Sequence, residues 1–277
     1  MGVHGGVSRA AGAWLRAAVM ALLVALPQGV LGTATAEGAQ LAALAVLVVA
    51  LFTLSEYGGR APSLVEFRDA PPFNRLRAAT AFASLLLICV MLRPMPPDAT
   101  SGLLLQVLGE RLGLWLGWPG SPVHLALIAL GSETASVPGL RAALAVSYAL
   151  SLGMVAVFGL VLIMGGWPRP APFNIWINLP RFDPAAGGDV RGRLMREAHV
   201  NLVLGFLLPF LLPVTVILGD VGSRLPSSPA ALAWMVAAWS LLPASFAMRG
   251  LAFLRLAHIL AAQRARGDGT PGRLQPA

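Results

Sequence analysis

Long apolar runs alternate along the chain with short segments that carry nearly all of its charge. Six runs approach the twenty or so apolar residues that a helix needs to cross a bilayer core. They cover residues 14–32, 39–57, 78–92, 142–165, 200–218 and 230–248. Ionisable side chains such as Arg16 and Glu56 stand near the ends of these runs and not at their centres. Backbone polar groups in hydrocarbon must be satisfied within the segment, so isolated runs of this kind can only be helices. The pattern predicts an all-α integral membrane protein, a bundle of six transmembrane helices forming one domain over residues 1–266, followed by a polar tail over 267–277. The third run is short, and it can lengthen past Arg93 if that side chain reaches the interface.

Charge gives the bundle an expected orientation. All twenty basic residues are arginine. Sixteen fall on one side of the predicted bundle, and Arg93, Arg111, Arg141 and Arg224 fall on the other. The positive-inside rule then places both termini in the cytoplasm. An extra span through residues 112–131 would put the five arginines between 169 and 196 outside, and is rejected for that reason. The first run also has a rival reading. Ala34-Thr35-Ala36 has the spacing of a signal-peptide cleavage site, and cleavage after Ala36 would leave five spans. Retention is the reading taken, because the next apolar run begins almost at once.

The connections differ in character. Within residues 101–118, Leu104, Val107, Leu108, Leu112 and Trp115 recur at helical spacing, which predicts a periplasmic interfacial helix with tryptophan at headgroup depth. Residues 122–130 are apolar but too short to span, and either dip into the membrane or pack under the bundle. At the arginine-rich end, Pro72-Phe73-Asn74 precedes the third run and Pro172-Phe173-Asn174 follows the fourth. The two phrases are either independent turns or the trace of a duplicated hairpin. Proline can start the next helix and asparagine can cap it. The loop over 167–199 alternates aromatics with proline and arginine, and Asp189 after Gly187-Gly188 is expected to cap a helix entering the fifth run. Glu66, Arg68, Asp69 and Arg75 are expected to pair with one another on the first loop. Residues 249–266 read as a basic amphipathic C-terminal helix on the inner leaflet.

Composition narrows the function classes. The chain is 57% hydrophobic and 12% charged, with mean hydropathy +0.74, whereas a soluble domain carries about 25% charged residues. The net charge of +8 is explained by arginines flanking apolar runs, so no nucleic-acid partner is expected. Arginine without lysine, with abundant Ala, Gly and Pro, reads as a GC-rich bacterial composition, and with the predicted topology it points to the bacterial inner membrane. A single cysteine, Cys89, excludes an intramolecular disulfide or a cysteine-based metal site. The four histidines, His4, His124, His199 and His258, form no evident facing pair within the spans for a haem. No phosphate-binding loop, zinc-protease pair or clustered aspartate motif occurs, and Ser132, Ser136 and Ser151 have no readable histidine and acid partners. The sequence therefore nominates no catalytic, cofactor-binding or metal-ligating residue and no cofactor.

Two residue groups remain as candidates. Phe73, Asn74, Arg75, Phe173, Asn174, Trp176, Arg181 and Phe182 could form a partner-binding surface on the arginine-rich loops or anchor them to the interface. Pro209, Pro213 and Pro243 should bend the fifth and sixth runs, making room for a ligand or shaping packing. The leading expectation is a non-enzymatic membrane protein, set in the lipid bilayer, that binds or helps assemble another membrane component. A permease for a small apolar or amphipathic molecule is the alternative, and an enzyme acting on lipid is the third.

Overall fold

The computed structural model describes residues 3–32, 35–59, 63–93, 100–130, 139–168, 178–180, 182, 189–219 and 228–268. The described chain is all-helical. Its helices are α1 (Val3–Leu31), α2 (Ala36–Gly58), α3 (Phe73–Leu92), α4 (Thr100–Leu116), α5 (Pro122–Ala129), α6 (Leu140–Ile163), α7 (Val190–Leu218) and α8 (Pro229–Asp268). Six of them, all but α4 and α5, are long and apolar enough to cross a membrane. The chain is thus a multi-pass helical membrane protein.

Helices α3, α6 and α8 pack against one another at the centre. Helix α1 lies on α3 and α8, while α2 packs only on α1 among the helices. Helix α7 runs along α8, and α5 fits against α6 and α7 at the end opposite the arginine-rich loops. Two buried clusters stack along this frame. One combines Leu23 and Leu26 of α1, Leu85 and Ile88 of α3, Leu144 of α6, and Val236 of α8. The other lies at the arginine-rich end, where Phe67, Phe73, Phe158, Trp167, Leu194 and Phe253 meet.

Glycines set the closest approaches. A Cβ on Gly205 of α7 would lie 2.7 Å from the Ala247 backbone nitrogen, and one on Gly250 of α8 would lie 2.9 Å from the Ala198 carbonyl oxygen. These two helices therefore meet backbone to backbone, as small residues allow in membranes. Gly139, at φ +76°, caps the start of α6 against the Met91 carbonyl, where a Cβ would fall 1.9 Å from the oxygen.

Several helices run further than hydropathy predicts. Helix α3 gains its extra turn at the arginine-rich end and stops at Leu92, so Arg93 is its C-cap and not an interior residue. Helix α7 begins ten residues before the apolar run, at Val190 rather than residue 200. Hydropathy falls at Arg75, Arg77, Arg191, Arg193 and Arg196, but arginine is a good helix former, so helices continue through it. For the same reason the sixth run and the basic segment after it form one 40-residue helix, about 60 Å long. The C-terminal part of α8 buries Ala252, Phe253, Leu256 and Ala257 in the second cluster.

Asp189 caps α7 as expected, its carboxylate accepting from the amides of Arg191 and Gly192. Asn74 does not cap α3, because the helix begins at Phe73 with Pro72 in the N-cap position. Residues 122–129 pack beneath the bundle, burying Val123 and Ala126. Helix α4 packs on α6 through Gly109 and Gly113, and leaves Leu104, Leu108, Leu114 and Trp115 outward.

Candidate functional site at the arginine-rich end

The polar groups of this end converge on Arg249. It lies on α8, where the helix leaves its most apolar stretch. Its guanidinium grips Glu66 of the first loop in bidentate fashion, Nε to Oε2 at 2.6 Å and Nη2 to Oε1 at 3.0 Å. Its Nη1 donates to Asn201 Oδ1 at 3.1 Å and to Glu197 Oε2 at 3.3 Å, both on α7. The ring of Phe253, one turn along α8, lies 4.5 Å beneath the guanidinium carbon. The Glu66 side chain is 12% exposed and that of Arg249 27%, so this pair is shielded more than a surface bridge. One side chain thereby joins two helices and a loop 183 residues away in sequence.

The first loop is fixed from both sides. The Glu56 carboxylate, at the end of α2, accepts from the amides of Ser63, Leu64 and Val65 and from the Ser63 hydroxyl. Asn74 Nδ2 donates to the Glu66 carbonyl at 2.7 Å. Asn178, from the second loop, takes the Phe67 amide on its carbonyl at 2.7 Å and the Asp69 amide on Oδ1 at 3.1 Å. The indole of Trp167 donates to the Ala70 carbonyl at 3.0 Å, and Arg255 Nε donates to the Trp167 carbonyl at 3.3 Å. At the centre, Phe67 packs on Phe73, Trp167 and Phe253 with ring centroids 4.6, 5.4 and 6.0 Å away. Phe67 holds φ +54°, a left-handed conformation costly for a bulky residue. Its ring is 1% exposed, and burial among aromatics offsets that cost.

The candidate loop residues have different fates. Phe73 is buried in this aromatic group, and Asn74 is engaged with Glu66 and Arg77. Arg75 is exposed, and Phe182 is half-buried under the guanidinium of Arg193 at 4.7 Å. Phe173, Asn174, Trp176 and Arg181 lie outside the described residues, so the second Pro-Phe-Asn phrase does too. Arg68 and Asp69 pair at 3.5 Å, but Glu66 turns instead to Arg249 on α8. Sequence reading missed that link because nothing local relates positions 66, 197, 201 and 249. The signal available was a buried asparagine and an arginine on two apolar helices, each of which needs a partner.

The proline group is buried at all three positions, Pro209, Pro213 and Pro243. Pro213 has no amide proton, which frees the carbonyl of Pro209 one turn earlier. The indole of Trp239 on α8 donates to that carbonyl at 3.1 Å and stacks on Tyr148 of α6, with centroids 5.6 Å apart. The space beside the prolines is thus occupied by Trp239. His199, inside α7, contacts the Met195 carbonyl of its own helix through Nδ1, while of the first-loop acids Asp69 pairs with Arg68 and Glu66 with Arg249. Among the described residues, no three His, Cys, Asp or Glu side chains gather as metal ligands.

Fold and site together define a polytopic helical membrane protein whose arginine-rich end, among the described residues, is a hydrogen-bonded surface. No family model, no curated protein and no solved structure matches the chain.

Proposed function

We propose that this chain is a non-enzymatic protein of the bacterial inner membrane that binds or helps assemble another membrane component at its arginine-rich, cytoplasmic face. The observation that carries this reading is the bonding among the described residues of that face. Two loops far apart in sequence are locked together through Asn178 and Trp167, and locked to α7 and α8 through Glu66 and Arg249. Loops that merely connect spans have no need of such anchoring, whereas a docking face gains affinity when it is ordered before the partner arrives. Exposed Arg75, Arg191 and Arg196 ring the face and supply charged contacts for an acidic partner surface. The permease reading draws less support, because Trp239 fills the space beside Pro209 and Pro213.

The test is purification of the tagged full chain from its native membrane in mild detergent, followed by mass spectrometry. A stoichiometric protein that survives washing and is lost from an Arg191→Glu/Arg196→Glu variant is the expected result. A solitary protein under the same washing would sink the stable-partner reading and direct attention to uptake assays in liposomes.

A further inference from the structure

Helix α4 is not one of the spans, yet one side of it is apolar and open. Leu104, Leu105, Leu108, Leu114 and Trp115 are all exposed, Trp115 at 80%. The seat of the helix shows where that side lies. A Cβ on Gly109 would meet Ala142 of α6 and Met91 of α3, and one on Gly113 would meet the side chain of Arg141 of α6. Four residues of α4, about 6 Å along its axis, thus answer to two adjacent residues of α6, so α4 crosses the start of α6 and does not run beside it. Met91 lies in the last turn of α3 and Arg141 in the first turn of α6. The crossing is therefore at the rim of two spans, at the depth of the lipid headgroups.

A single cation stands in the middle of this apolar side. At 3.6 residues per turn, Leu104, Leu108, Arg111 and Trp115 fall within about 60° of one another around the helix. Leu108, Arg111, Leu112, Leu114 and Trp115 line one open groove. Glu110 is adjacent in sequence and so points to a different side of the helix. The Arg111 guanidinium makes no hydrogen bond or ion pair among the described residues. The same holds for Arg93, the C-cap of α3, and for Arg141, whose stem lies against Gly113. Guanidiniums left uncompensated at one rim favour an anion, and the planar fork of Arg111 suits phosphate oxygens. The apolar lining around that fork requires that the anion also carry hydrocarbon. Apolar residues on the spans merely face lipid, whereas those of α4 surround a cation at headgroup depth.

We infer that Arg111 binds the phosphate of an anionic phospholipid whose chains lie against Leu108, Leu112 and Trp115 of α4. This site is independent of the partner reading above, since it lies at the opposite end of the bundle and takes a different ligand.

The experiment uses the purified full chain in mild detergent, with phosphatidylglycerol, phosphatidylcholine or inorganic phosphate added. Heat stability and lipid retention in native mass spectrometry are read. Phosphatidylglycerol should raise the melting temperature and remain bound, and phosphatidylcholine should do neither. Arg111→Gln removes an exposed, unpaired side chain and should weaken phosphatidylglycerol retention by about tenfold, the effect of losing one charge-assisted contact. Arg111→Lys keeps the charge without the fork and should lose less. Arg16→Gln, at the arginine-rich end, should leave retention unchanged. Equal retention of the two lipids, or unchanged retention in Arg111→Gln, would overturn the site. An equal loss in Arg16→Gln would reduce it to general attraction between arginine and lipid. Stabilisation by inorganic phosphate equal to that by phosphatidylglycerol would overturn the lipid assignment.

Discussion

Arg249 matters because of what its removal leaves behind. Arg249→Gln strips the bidentate partner from Glu66 and a donor from buried Asn201. Breaking a shielded pair from one side costs more than the pair contributes, because the remaining charge keeps its desolvation penalty. Partial exposure of Arg249 and Glu197 lets water repay some of that, so a loss of about 2–3 kcal/mol is expected. A lower melting temperature in detergent would report it. Arg249→Lys should recover only part of the loss, since an ammonium cannot reproduce the fork. Trp239 presents a similar case further along the α7–α8 pair. Trp239→Phe keeps most of the volume but deprives the Pro209 carbonyl of its donor, at a cost of about 1–3 kcal/mol. If that variant melts with the parent, the indole bond contributes nothing to stability.

At the scale of elements, the first loop has little regular structure, so its order comes from side chains. Glu56 alone supplies acceptors for three consecutive amides and one hydroxyl. In Glu56→Ala those donors lose their partner, and amide exchange in residues 63–72 should rise while α6 stays protected. Equal exchange in parent and variant would show that the aromatic cluster fixes the loop without Glu56. The α7–α8 pair depends on the missing side chains of Gly205 and Gly250. Gly205→Val would place branched carbon against the Ala247 backbone, and the helices would have to separate. The expected outcome is an unfolded or aggregated peak in size-exclusion chromatography. A monodisperse Gly205→Val with parental stability would contradict that backbone contact.

For the whole molecule, sequence and structure answer different questions. The expected orientation is a property of charge distribution, and it can be tested directly. A green fluorescent protein fused to Ala277 should fluoresce, and alkaline phosphatase inserted after Gly120 should be active. The reverse pattern would invert the topology. The number and order of spans were legible because lipid demands long apolar runs with internal backbone bonding, and that demand is local. Asp189 was legible as a cap because capping acts over three residues. Helix ends in the arginine zones were not, since hydropathy measures solvent preference and not helix propensity. The Arg249 cluster and the filling of the proline site by Trp239 were invisible for another reason. Each joins residues tens to hundreds of positions apart, and only the packing of α7 on α8, with the loops folded beneath, brings them within hydrogen-bonding reach. Local periodicity thus determined which segments enter the membrane, while the tertiary structure decided which of their few polar groups face each other.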